Sequence, residues 1–167
     1  DVTVGTRVGQ FRREAGRGHF DWNFLRELRA QWPHKLILKG VMCAEDARNA
    51  VDAGVDAVYV SNHGGRQLDS APPAISILPL IREALGPEYP IVFDSGVRSG
   101  EDIVRTLASG AGFVMLGRPF LYALGAGGAG GLSQLLSLLM NELSTVMAQL
   151  GCTHPAQLDG AVRAPPR

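Results

Sequence analysis

Ala57-Val58-Tyr59-Val60 runs directly into Ser61-Asn62-His63-Gly64-Gly65-Arg66-Gln67-Leu68-Asp69, so an apolar, β-branched stretch stops abruptly on a polar loop that contains glycine. A buried strand of a parallel sheet reads this way, as an unbroken apolar run whose exit carries the chemistry. The same unit recurs along the chain. Leu36-Ile37-Leu38 ends at Lys39-Gly40, Ile91-Val92-Phe93 ends at Asp94, and Phe113-Val114-Met115-Leu116 ends at Gly117-Arg118. Helix-favouring sequence follows each run: 44–53 closed by Gly54, 75–85 stopped by Gly86-Pro87, about 101–108 before Gly110, and 132–150. Ahead of them, Phe20, Phe24, Leu25, Leu28 and Trp32 recur at helical spacing, with Asp21 at the N-cap and Pro33 as the stop. Strands alternating with helices at this spacing predict an α/β fold, a parallel sheet covered on both faces.

Composition narrows the class. The chain has 167 residues, 46% of them hydrophobic, and equal numbers of basic and acidic residues, 16 of each. No global field favours nucleic acid, so a small molecule is the expected partner. Cys43 and Cys152 are far apart, without metal-ligand spacing, which fits a reduced, cytoplasmic setting and no metal. No unbroken apolar run reaches the roughly 18 residues of a membrane span, and no leader pattern opens the chain. Residues 1–19 read as a flexible arm and 159–167 as a disordered tail. The glycines within 125–131 predict a flexible loop before the last helix. There Leu132, Leu135, Leu136, Leu139, Leu143, Val146, Met147 and Leu150 form an apolar stripe, expected to pack on the sheet or, alternatively, on another subunit.

The residues with chemistry stand just after strands: Lys39, His63 with Arg66, Asp94 with Arg98, and Gly117 with Arg118. Carboxyl ends of parallel strands are where such folds build sites. Gly96-Val97-Arg98-Ser99-Gly100 opens a helix, and Gly117-Arg118-Pro119 follows the next strand. Glycines let amides approach an anion, a helix N-terminus adds positive potential, and arginine offers a planar fork. Either loop alone is equally well a turn with a solvated arginine; the two in tandem point to phosphate. Neither is a Walker A or dinucleotide loop. His63 is able to accept and return a proton near neutral pH, and Arg66 to grip a carboxylate, although a histidine in a tight Gly-Gly loop can also be structural. Lys39 offers a fixed positive charge to an anion developing on a ring or substrate.

Ser61 to Asp69, with Leu38-Lys39-Gly40 before it and Asp94-Ser95-Gly96-Val97-Arg98 and Leu116-Gly117-Arg118 after it, resembles the FMN-dependent L-2-hydroxy acid dehydrogenase and oxidase family. Flavin-type L-lactate dehydrogenases, mandelate dehydrogenase and glycolate oxidase belong to that family, and the match covers about residues 20–158. The resemblance implies an FMN cofactor and oxidation of a small 2-hydroxy acid, lactate-like or mandelate-like, to the 2-keto acid. It makes His63 the base, Arg66 the carboxylate clamp and Lys39 the cation beside the flavin. Ser61 becomes a flavin neighbour, and Asp94, Ser95, Gly96, Val97, Arg98, Gly117 and Arg118 hold the phosphate and ribityl chain. Asp1 is matched to the aspartate that orients the base, since Asp1-Val2-Thr3-Val4 resembles the segment leaving strand four. No counterpart of the family's substrate-site tyrosine is visible.

The implied fold is the C-terminal half, about four βα units, of a (β/α)₈ TIM barrel, because a whole barrel needs about 250 residues. The implied partners are then the missing N-terminal half or a second half-barrel, within a homo-oligomer that is cytoplasmic or membrane-associated. Gly65 and Trp32-Pro33-His34-Lys35-Leu36 favour a dehydrogenase over an oxidase that uses O₂ and releases H₂O₂. A non-catalytic half-barrel that binds a phosphate-containing ligand or acts as an assembly subunit is the alternative from another class.

Overall fold

The computed structural model describes residues 20–158. The arm, the tail and Asp1 lie outside the described residues. Helix α1 (Trp22–Gln31) leads into strand β1 (Ile37–Val41), followed by α2 (Ala44–Asp52), β2 (Ala57–Val60), α3 (Ala74–Leu85), β3 (Ile91–Phe93), α4 (Gly100–Ala108), β4 (Phe113–Val114) and α5 (Arg118–Gln149), with short 3₁₀ turns at His63–Gly65 and Pro155–Leu158. The four strands are parallel and lie in sequence order, β1-β2-β3-β4. Consecutive order is what successive right-handed crossovers produce when every strand is laid beside the previous one.

Local chemistry accounts for the boundaries. The Asp21 side chain accepts from the Phe24 amide at 2.8 Å and starts α1. Ser99 and Asp102 form a reciprocal capping box on α4. In β1 the register slips between Lys39 and Val41, a bulge accommodated by Gly40 at φ 97°. The strand therefore includes Lys39 and Gly40 instead of stopping before them, whereas β4 is only two residues long.

The two faces of the sheet differ. Val58, Val60, Ile91 and Phe93 are buried with Leu25, Ala47, Ala50, Leu78 and Ile81 of the helices in one apolar cluster. The opposite face carries Lys39, Tyr59, Val92 and Phe113 side by side in register. Phe113 is 61% exposed there and Ile37 51%, so the expectation of cover on both faces does not hold among the described residues. Apolar runs alone cannot separate a sheet wrapped on both sides from one whose second face awaits another element.

The last helix also departs from expectation. It begins at Arg118, and the glycine-rich stretch is a break within it at Gly127 and Gly128 rather than a loop ahead of it. Gly128 has φ 55° and ψ −141°, and a Cβ on Gly131 would overlap the Ala123 carbonyl oxygen, so the chain folds back across the break. By length and composition α5 qualifies as a candidate membrane span, unlike the sequence expectation. Its fold-back makes it two segments rather than one straight rod. The second segment packs on α4, where Val104 and Ala108 meet Leu143, Val146 and Met147; this part of the stripe thus covers a helix, while Leu136 and Leu150 stay exposed.

Two arginines secure the amino ends of the strands. Arg29 donates to Asp56 at 2.9 Å and to the carbonyls of Trp32, His34 and Gly54, while Arg82 donates to those of Gly86, Pro87, Tyr89 and Gly110. Asp56 also accepts from Lys35 and from the Leu36 amide, and this bonding, led by Lys35, holds its carboxyl near pKa 2 against an ordinary 3.8. The folded value lies below the unfolded one, so the stabilisation is complete above the ordinary value and is lost as pH falls toward 2. Arg29→Ala removes the Asp56 ion pair and the bonds to three exposed carbonyls and should lower stability by about 1 kcal/mol in denaturant melts. Asp56→Asn should flatten the stability profile between pH 4 and 2; an unchanged acid slope would remove Asp56 as its source.

Candidate active site

The carboxyl ends of the strands converge on a cavity of about 410 Å³ lined by Lys39, His63, Arg66, Asp94, Ser95, Gly96, Val97, Arg98, Gly117 and Arg118. Every site residue named from the sequence is there except two. Ser61 is fully buried beneath the cavity, and Asp1 lies outside the described residues. Val97 lines the cavity and is also part of the buried core.

A polar hub joins three strands at the cavity floor. Lys39 Nζ donates to Ser61 Oγ at 2.7 Å and pairs with Asp94 Oδ2 at 2.8 Å. Ser95 Oγ donates to Asp94 Oδ1 and accepts from the amides of Asn62 and Gly64. Burial pushes the Asp94 carboxyl up, but bonds from Lys39, Ser61, Ser95 and Tyr59 outweigh it and hold the group below the usual carboxylate range. The hub thus pairs the Asp94 carboxylate with the Lys39 ammonium.

Tyr59 is the residue the sequence reading left in the strand core. Its hydroxyl donates to Asp94 Oδ2 at 2.8 Å, and its ring lies 4.1 Å from Lys39 Nζ. Burial first, then the bond to Asp94 and its charge, raise the phenol so that it stays a donor. Period-two alternation supplied the missing signal: Tyr59 shares a strand face with Ser61.

The His63 loop is built under constraint. His63 has φ 57° and Ser95 φ 87°, left-handed values rare for residues with a Cβ. The His63 amide donates to Ser61 Oγ and the Gly64 amide to Asn62 Oδ1, which over-determine the turn. The imidazole lies against β1: a Cβ on Gly40 would sit 2.9 Å from His63 Cε1. A Cβ on Gly64 would lie 3.1 Å from Arg118 Nη2, so that guanidinium reaches over the glycine loop.

The cations on the wall have a common property. Arg66, Arg98 and Arg118 are exposed, and none forms a side-chain hydrogen bond or ion pair among the described residues. The structure also revises the expected source of helix potential. The first amides at the α4 end are bound internally, Arg98 N and Ser99 N by Asp102 Oδ2, whereas no side chain among the described residues caps α5 at Gly117. Such a wall suits an anion with several oxygens.

Gly40→Ala should displace His63 and cost about 1–3 kcal/mol, because the new methyl meets the ring at a left-handed φ; an unmoved His63 ring resonance would refute the contact. Tyr59→Phe should cost about 1 kcal/mol and raise the Asp94 carboxyl toward its ordinary value, measured by carboxyl-carbon NMR titration.

Comparison with known proteins gives this geometry a family. Residues 2–164 match the family described as FMN-dependent dehydrogenase. An L-lactate dehydrogenase of Caulobacter sp. (strain K31) is 49% identical over 143 residues, covering 86% of this chain and 38% of the relative. The 2-hydroxyacid oxidase of Dictyostelium discoideum is 39% identical over 141 residues, 84% of this chain and 36% of the relative. The structure of the monotopic membrane protein (S)-mandelate dehydrogenase superposes with a TM-score of 0.83 at 41% identity, over 93% of this chain and 41% of that one. The chain therefore spans less than two fifths of the length of these curated relatives. It belongs to the FMN-dependent dehydrogenase family.

Proposed function

We propose that this chain is the C-terminal half of a (β/α)₈ barrel whose complete form oxidises a small L-2-hydroxy acid to the 2-keto acid with FMN. The observation that carries the reading is the wall of Arg66, Arg98 and Arg118 around one cavity beside His63, without counterions among the described residues. Consecutive parallel strands with one face open support the half-barrel, and the relatives' greater length supports a missing N-terminal half as its complement.

The residues fit FMN chemically. Arg98, Arg118 and the uncapped α5 end would hold the phosphate, the 94–97 turn and Gly117 the ribityl chain, and Lys39 with Ser61 the ring. When bound, FMN supplies the two-electron acceptor. The side chains of this chain do the rest. Arg66 receives the substrate carboxylate in a bidentate clamp, fixing the neighbouring carbon in register with the base. His63 takes the proton released as the alcohol becomes a carbonyl. Lys39 counters negative charge that grows on the ring, and the Asp94 hub keeps its ammonium at the floor. If Asp1 orients the histidine in the complete barrel, its carboxylate stabilises the protonated imidazole.

Gly65 and the similarity to L-lactate dehydrogenases favour an acceptor other than oxygen. The fold-back of α5, together with a neighbour described as monotopic, favours a cytoplasmic enzyme attached to a membrane surface over one that spans it.

The test is a chimera joining this segment to the N-terminal half of the Caulobacter relative. It should bind FMN and bleach on addition of L-lactate or L-mandelate. His63→Asn should retain the flavin and slow bleaching by about 10²–10⁴-fold; equal bleaching rates would remove His63 as the base. Peroxide released in step with turnover would replace the dehydrogenase reading with the oxidase one, and a colourless chimera would refute FMN.

A further inference from the structure

We infer that Glu142 is a positioning residue for the phosphate-holding turn, acting from the second segment of α5. The inference rests on the FMN reading above. The turn that leaves β3 is conformationally costly, since Ser95 at φ 87° and Gly96 at φ 94° are left-handed in succession. Its front end is tied by Ser95 Oγ to Asp94 and to the His63 loop. Its rear end enters α4, where Asp102 Oδ2 accepts from Arg98 N at 2.9 Å and Ser99 N at 3.2 Å. Those bonds close only within one turn of chain, so they shape the helix start without fixing it in the molecule.

The next amide provides the external anchor. Gly100 N donates to Glu142 Oε2 at 2.7 Å, a partner 42 residues away. The backbones are in direct contact there: a Cβ on Gly100 would lie 2.5 Å from Glu142 Cβ and overlap the Leu143 amide nitrogen. Gly100 is buried and Glu142 exposed, so this charge-assisted bond ties a buried amide to a carboxylate at the surface. The amides of 98, 99 and 100 are all bound to carboxylates, so these three are not offered to an anion. The phosphate is left to Arg98, Arg118 and the α5 end, and Glu142 determines where Arg98 stands relative to Arg118. Both Arg118 and Glu142 belong to α5, on opposite sides of its glycine break, so the fold-back at Gly131 sets the distance between the two attachments.

The experiment compares FMN with riboflavin, which differ only in the phosphate, by quenching of flavin fluorescence on the chimera that completes the barrel, with hydrogen exchange of the 96–100 amides as a second readout. Glu142→Ala should weaken FMN about tenfold, the loss of one charge-assisted hydrogen bond. It should leave riboflavin unchanged and speed exchange at 96–100 but not in β2 or α3. Glu142→Gln, which keeps an acceptor oxygen, should restore FMN binding to within about twofold of the original, well inside the spread expected for a retained neutral hydrogen bond. Equal weakening of both flavins, as general loosening would give, overturns the inference, as does unaltered FMN binding. A parent chimera that binds neither flavin counts against the FMN reading instead. Exchange then decides Glu142 alone: unchanged protection of 96–100 in Glu142→Ala refutes it, and faster exchange confined to that turn sustains it.

Discussion

The Asp94 carboxylate is the point on which the mouth of this sheet depends. It collects Lys39 from β1, Tyr59 from β2 and Ser95 from its own exit, while Lys39 in turn bonds Ser61 after β2. A half-buried anion is costly unless its lone pairs are met, and here the partners come from three neighbouring strands at one level. Moving any one strand end would therefore leave a charge exposed to poor solvation. The hub is the reason that His63 and the arginines, all on irregular backbone, can be held in a stable arrangement.

Stability and chemistry are separated along the strand axis. At the amino ends, Arg29 and Arg82 gather loop carbonyls into two closed clusters in which donors and acceptors are matched. At the carboxyl ends the balance is deliberately incomplete: the hub is satisfied, but the arginines above it are not paired among the described residues. Left-handed His63 and Ser95 lie at this end too. Backbone strain and unmatched charge both lower folding stability, and they concentrate where a ligand's charge can offset them.

Much of this was legible before any coordinates. Continuous apolar runs ending in Lys39, His63, Asp94 and Arg118 announced a parallel sheet, and their common position after strands announced a shared site. What escaped was geometry that depends on partners distant in the chain. Tyr59 looked like one more β-favouring residue, because nothing local reveals that its hydroxyl meets Asp94, 35 residues on. The glycines of 125–131 looked like a loop, since weak helix propensity does not register that flanking helix can continue through all but two of them. The apolar stripe of α5 was visible, but its target was not: helical periodicity says that a face is buried and not against which element.

By itself, the sequence determined the order and type of the elements and which side chains stand at strand exits, because short-range pattern and turn chemistry are sufficient for both. It also carried the family resemblance, which rests on ordered motifs rather than on contacts. Tertiary structure decided which amides of the α4 turn are bound, which arginines stand unpaired and which sheet face is open among the described residues, and how α5 turns back on itself. Each of these depends on groups tens of residues apart being brought within hydrogen-bond or van der Waals reach, a quantity that no local reading of the chain contains.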